Sequence, residues 1–124
     1  LKEDGGLRRG ESFRELAAAL KGHKVDAILL MCSDPKAISA CLPNLREAFD
    51  GPVGAYATIG YESNPDFGAT SYETFHKLDT SQYSPARYAE FASEWKQMGA
   101  QLIGGCCGSG PEHISAIAPI VKGT

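Results

Sequence analysis

A chain of 124 residues is the size of one domain. Its 43% hydrophobic and 22% charged content is that of a globular protein and argues against disorder. A net charge of -3 and a pI near 5.6 give no sign of a nucleic-acid-binding surface, and no apolar run approaches the roughly 20 residues of a membrane span.

Residues 1–11 are polar and glycine-rich and read as loop. No signal-peptide pattern opens the chain. Its first residue is Leu1 rather than Met, so a processed, trimmed or partial chain is expected. Ser12-Phe13-Arg14-Glu15 has the form of a capping box, in which a hydroxyl and a carboxylate satisfy free amides at a helix start. Phe13, Leu16, Ala17 and Leu20 recur at helical spacing, and the helix ends near Gly22. Residues 25–31 form a nearly continuous apolar run, which predicts a strand covered on both faces, with Cys32 just beyond its end. Ser33-Asp34-Pro35 starts a second helix carrying Ile38, Cys41 and Leu42, which Pro43 is expected to break or kink before residues 45–49.

Asp50-Gly51-Pro52 turns the chain into a short second strand over residues 53–57. From 58 to 84 the sequence is polar and aromatic, with Tyr61, Phe67, Tyr72, Phe75 and Tyr83. Loops of that length are usually functional or disordered. The aromatic content favours an ordered covering loop with a short hairpin near 73–78. Ser84-Pro85 opens another helix, with Tyr88, Phe91, Ala92, Trp95 and Met98 on one face and Gly99 closing it. Residues 101–103 read as a third strand, and Pro111 starts the last helix, with Ile114, Ile117 and Val121 on one side. This helix–strand alternation predicts an α/β fold with a parallel sheet, and no repeat, low-complexity segment or linker divides residues 1–124.

Chemistry concentrates in the cysteines. Cys106 and Cys107 are adjacent, so a disulfide between them would strain a ring whose Cα atoms lie only about 3.8 Å apart. Reduced thiols in a cytoplasmic setting fit better than a disulfide staple. Cys32 ends the first strand and Cys106-Cys107 end the third. A parallel sheet or barrel puts all its C-terminal strand ends on one face, so the three thiols can converge. Three thiolates suit zinc and leave one position open, as catalytic zinc sites do. A substrate thiol entering that position would lose its proton at neutral pH. Gly104 and Gly105 allow close approach of backbone and ligand, and Gly108 and Gly110 allow a tight turn. From the residues alone, metal binding, dithiol redox chemistry and apolar filling all stay open for the pair. Cys41, among Ile38, Leu42 and Leu45, reads as filler.

Gly104-Gly105-Cys106-Cys107-Gly108, followed by Pro111-Glu112-His113-Ile114, resembles the C-terminal signature of the homocysteine S-methyltransferase family. That family includes betaine-homocysteine methyltransferase and the homocysteine-binding module of cobalamin-dependent methionine synthase. Cys32-Ser33-Asp34-Pro35 stands where the family has its first zinc-ligand cysteine. Residues 54–60 stand where it has a strand ending in a Tyr-Pro-Asn-type motif, and Gly10-Glu11-Ser12 matches the glycine before the preceding helix. The resemblance implies a (β/α)8 TIM barrel in which Cys32, Cys106 and Cys107 bind zinc. It implies that the zinc activates homocysteine, whose sulfur takes a methyl group to give methionine. Tyr56 and Gly105 are the expected substrate-lining positions. The methyl donor is not specified: S-methylmethionine, S-adenosylmethionine, betaine and methyl-folate are all compatible.

Two departures stand out. Met31 replaces the Asn that precedes the first zinc cysteine, and Tyr56-Ala57-Thr58 replaces Tyr-Pro-Asn. A full barrel also needs roughly 250 residues. This chain is therefore expected to hold the last three β/α units and a leading helix, to be inactive alone, and to self-associate or require the missing N-terminal half. His113 is read as structural, His23 and His76 as surface groups, and Glu112 as favourable to its helix dipole. Glu62 and Asp66 are read as solvated loop acids. The competing functions are a vicinal-dithiol redox protein, a non-catalytic zinc-stabilised module and, weakly, an anion site at the glycine turn, which lacks a P-loop Lys.

Overall fold

The computed structural model describes residues 1–63, 75–77 and 82–123. Helix α1 spans Phe13–Leu20 and β1 Ile28–Met31; α2 spans Pro35–Ala48 and β2 Val53–Ala57. Two short strands follow, β3 at Tyr61–Ser63 and β4 at Phe75–Lys77, then α3 at Pro85–Gln97, β5 at Ala100–Gly105 and α4 at Pro111–Lys122. The three main strands form a parallel sheet in the order β1-β2-β5. Among the described residues no helix is long and apolar enough to cross a membrane.

Each helix start follows from local chemistry. Ser12 Oγ accepts from Glu15 N, and Glu15 Oε2 accepts from Ser12 N at 2.7 Å, so both halves of the capping box form. Asp34 Oδ1 accepts from Lys36 N at 2.8 Å ahead of Pro35, and Ser84 Oγ accepts from Arg87 N at 3.2 Å ahead of Pro85.

Pro43 does not break α2. Proline denies a hydrogen bond to the carbonyl four residues back, at a cost of about 3 kcal/mol. Ile38, Cys41, Leu42 and Leu45 on the opposite side are completely buried. Burying each aliphatic side chain is worth about 1.5–3 kcal/mol, so packing outweighs the break, and Pro43 sits on the exposed side. The hairpin expected within 73–78 is also different. Phe75–Lys77 pairs antiparallel with Tyr61–Ser63, since a six-residue window cannot hold two strands and their turn. Phe67, Tyr72 and Asp66 lie outside the described residues.

Strand β1 is shorter than the apolar run that announced it, and its two faces differ. The register pairs Leu30 with Ala55 and Ile103, on the side that carries Val53 and Ala57 and packs against the helices. The opposite side presents Leu29, Met31, Gly54, Tyr56, Leu102 and Gly104. Met31 is 55% exposed there and Leu102 39%, so among the described residues the double coverage predicted for this strand is not met. A β-carbon on Gly54 would lie 2.8 Å from Leu102 Cβ and 2.9 Å from Leu29 Cδ2. Glycine at that position leaves room for both leucine side chains beside the central strand.

Behind the sheet, Trp95 stacks on Phe91 at 5.8 Å, meets Tyr88 edge-on at 5.7 Å, and donates from Nε1 to Ser39 Oγ at 2.9 Å. In α4 the inward positions are His113, Ile117, Ile120 and Val121; of the expected stripe Ile117 and Val121 face the core, and Ile114 is exposed. His23 is exposed as expected.

Candidate metal centre

Both thiol-bearing loops leave C-terminal strand ends. Cys32 follows β1 with a φ of 51°, the left-handed region that a residue with a β-carbon rarely enters. Cys106 follows β5. Between them, the end of β2 serves as a splint: Cys32 N donates to Tyr56 O and Cys106 N to Ala57 O, each at 3.1 Å. The Cys107 carbonyl accepts from Ile59 N at 2.8 Å, Gly60 N at 3.0 Å and Thr58 Oγ1 at 3.1 Å. The Cys106 carbonyl accepts from Ser109 Oγ at 2.7 Å. Gly108 has φ +85°, and a β-carbon there would lie 2.5 Å from Gly60 Cα. The glycine pair therefore permits the backbone contact that seats the Cys106-Cys107 loop against the segment following β2.

The sulfurs meet. Cys32 Sγ lies 3.0 Å from Cys106 Sγ, and Cys106 Sγ lies 4.0 Å from Cys107 Sγ. The tightest pair is thus the one joining two strands, not the sequence neighbours. The hydrogen bond with Cys106, then burial, pushes the Cys32 thiol up to about 11. Burial pushes Cys106 up too, but hydrogen bonds from Cys32 and from Cys107 outweigh it and the net direction is down. Of the pair, Cys32 therefore holds its proton more tightly and Cys106 releases its own more readily.

Among the described residues no three His, Cys, Asp or Glu side chains stand around a common point as a finished metal cage. The donor chemistry nevertheless fits zinc. Two sulfurs on one tetrahedral zinc, with Zn–S of about 2.3 Å, stand about 3.8 Å apart. The Cys106–Cys107 spacing of 4.0 Å is close to that value. The Cys32–Cys106 spacing must open by roughly 0.8 Å, which a side-chain rotation at the exposed Cys32 can supply.

The remaining expected site residues sort by their contacts. Tyr56 is half-buried, and its ring covers Gly104: a β-carbon there would lie 2.6 Å from Tyr56 Cε1. At Gly105 a β-carbon would run into Ser109, 2.8 Å from its Cβ, so a contact within the chain accounts for that glycine. Gly110 is extended, with φ -114°, and is the α4 cap rather than part of a left-handed turn. Cys41 is fully buried and donates to Lys2 O at 3.3 Å, pinning the N-terminal loop as an apolar filler can. Glu62 lies on β3, in register with His76 on β4.

His113 is buried beneath the site. Its Nδ1 accepts from Gly110 N at 3.1 Å, which places the proton on Nε2, and Nε2–H donates to Tyr83 O at 2.9 Å. Its ring meets Tyr88 edge-on at 5.9 Å. Tyr88 Oη donates to Gly104 O at 2.7 Å, two residues before Cys106. Thr58, Tyr88 and Ser109 were not singled out from sequence as supports. Only Ser109, in a Gly-Ser-Gly turn, carries a local signal for such a role.

Comparison with known proteins places this arrangement. The homocysteine S-methyltransferase family model matches residues 1–121. Homocysteine S-methyltransferase 3 of Arabidopsis thaliana is 30% identical over 124 residues, covering 98% of this chain and 33% of that protein. Selenocysteine Se-methyltransferase of Brassica oleracea var. italica is 25% identical over 117 residues, covering 94% and 32%. The oxidized form of the homocysteine methyltransferase MmuM from Escherichia coli matches with a TM-score of 0.69 and 26% identity, over 97% of this chain and 34% of that one. The metallated form of MmuM shares the fold, with a TM-score of 0.65. The chain spans about a third of the length of these relatives.

Proposed function

We propose a function that proceeds from one premise: the chain belongs to the homocysteine S-methyltransferase family. On this reading it supplies the zinc-binding end of a (β/α)8 barrel that methylates homocysteine to methionine. The observation that carries the reading is the gathering of Cys32, Cys106 and Cys107 at the C-terminal ends of parallel strands, with sulfurs 3.0 and 4.0 Å apart.

These three cysteines would hold the zinc and leave a fourth position for the homocysteine thiol. Zinc bound there lowers the pKa of an entering thiol, so that it reacts as thiolate at neutral pH. The chain's own residues set the geometry. The β2 end holds both thiol loops, Gly108 and Gly60 let the Cys106-Cys107 loop sit against the segment after β2, and Tyr56 closes over Gly104. The face bearing Leu29, Met31, Tyr56 and Leu102 would be the barrel interior, completed by strands from outside these residues or from a second copy. That accounts for its apolar character in a chain a third the length of its relatives. The chain alone is then a poor methyltransferase. A site of reduced thiols also fits a reducing compartment such as the cytoplasm.

Zinc titration under reducing conditions tests the reading. About one equivalent should bind near neutral pH, and Cys106→Ser should abolish tight binding. Binding below about a tenth of an equivalent, unchanged by the substitution, would sink it. A second reading, an oxidisable dithiol, is favoured by the 3.0 Å Cys32–Cys106 contact. It predicts rapid mixed-disulfide formation and no metal in the same experiment.

A further inference from the structure

Thr58 is the one residue hydrogen-bonded to both thiol-bearing loops by its own groups, among the contacts of the described residues. Its N–H donates to Ser33 O at 2.9 Å, directly after Cys32. Its hydroxyl donates to Cys107 O at 3.1 Å. The residue is only 6% exposed, so water does not compete freely for either bond.

We infer that Thr58 is a positioning residue that sets the spacing of the Cys32 and Cys106-Cys107 sulfurs through its hydroxyl bond to Cys107 O. This rests on the zinc reading for its functional meaning, but not for its geometry. Ile59 N and Gly60 N also hold Cys107 O, and both are backbone amides of a single turn. They fix the distance of the carbonyl from the β2 end and leave its direction free to pivot about them. The hydroxyl adds a third point and removes that freedom. Because the carbonyl keeps two donors when the hydroxyl is lost, the fold should tolerate the loss while the sulfur spacing does not.

Thr58→Val keeps the volume, the branch and the N–H bond to Ser33 O, and puts a methyl in place of the hydroxyl. Thr58→Ser keeps the hydroxyl and deletes a methyl. Two readouts on the full chain apply. The first is zinc affinity under reducing conditions. The second is the equilibrium in which glutathione disulfide oxidises the Cys32 and Cys106 thiols, giving one protein disulfide and two glutathione thiols, followed by mass spectrometry. Removing a support of a ligand loop typically costs about 10–100-fold in metal affinity, so Thr58→Val should weaken zinc about tenfold or more while Thr58→Ser stays near the parent. If the parent binds no zinc, the zinc reading fails and the thiol equilibrium decides: it should fall several-fold in the valine variant alone, on the same support argument. Equal behaviour of the valine variant and the parent overturns the inference. So does an equal loss in both variants, or a parent chain that forms neither a zinc site nor the disulfide. Should the valine chain not fold, Thr58→Ala replaces it under the same criteria.

Discussion

Tyr88→Phe should change not only the stability of this chain but its dependence on pH, with a change of sign. Tyr88 is fully buried, and burial pushes its hydroxyl up from 10.0 to about 12. A folded pKa above the unfolded one stabilises the protein fully below about pH 10, and that contribution is lost as pH rises toward 12. Two units correspond to about 3 kcal/mol. At neutral pH the phenylalanine variant loses the bond to Gly104 O, worth about 1 kcal/mol. The variant should therefore be the less stable protein at pH 7 and the more stable one at pH 12, by about 1 kcal/mol in each case. The curves should cross between about pH 10.5 and 11, where the parent has lost about 1 kcal/mol. Urea unfolding followed by the single tryptophan, Trp95, reads this directly, since Trp95 is buried 5.7 Å from Tyr88. Parallel stability curves across this range would refute the argument that burial governs Tyr88. They would also refute its role as a buried tie between α3 and the strand that leads to Cys106.

Three further outcomes are expected. Gly108→Ala must take a φ of +85° with its β-carbon 2.5 Å from Gly60 Cα. The left-handed penalty of about 1–2 kcal/mol and an overpacking cost of about 1–3 kcal/mol should lower the urea midpoint by the equivalent of about 2–5 kcal/mol, and an unchanged midpoint would count against the loop contact. Iodoacetamide near pH 8 should alkylate Cys106 before Cys32 although Cys32 is the more exposed, because Cys32 holds its proton more tightly; peptide mapping that finds Cys32 first would reverse that order. The rate at Cys32 should climb as pH approaches about 11. Finally, among the described residues β1 and β5 each pair on one side only, and Met31 and Leu102 are exposed beside them, so sedimentation of the chain alone should show concentration-dependent association, and a clean monomer would contradict it.

What the amino-acid sequence determined by itself is local. Ser12, Asp34 and Ser84 announce their helices because a cap needs only its own side chain and the next turn of backbone. The strand over 53–57 and the α/β order follow from apolar runs between glycine and proline breaks. The cysteine motif with its flanking glycines was enough to indicate the family, which the family match over residues 1–121 shows. What only tertiary structure decided depends on pairings distant in sequence. Pro43 stays inside α2 because the far side of that helix is buried, and β4 finds its partner at Tyr61–Ser63 rather than next door. His113 turns inward because α4 lies against α3, and Tyr83 O, just ahead of α3, accepts from its Nε2. The sequence put Cys106 beside Cys107, yet the closest sulfurs are those of Cys32 and Cys106. Adjacent residues at a strand end project in different directions, whereas parallel strands held through β2 deliver their ends to one place.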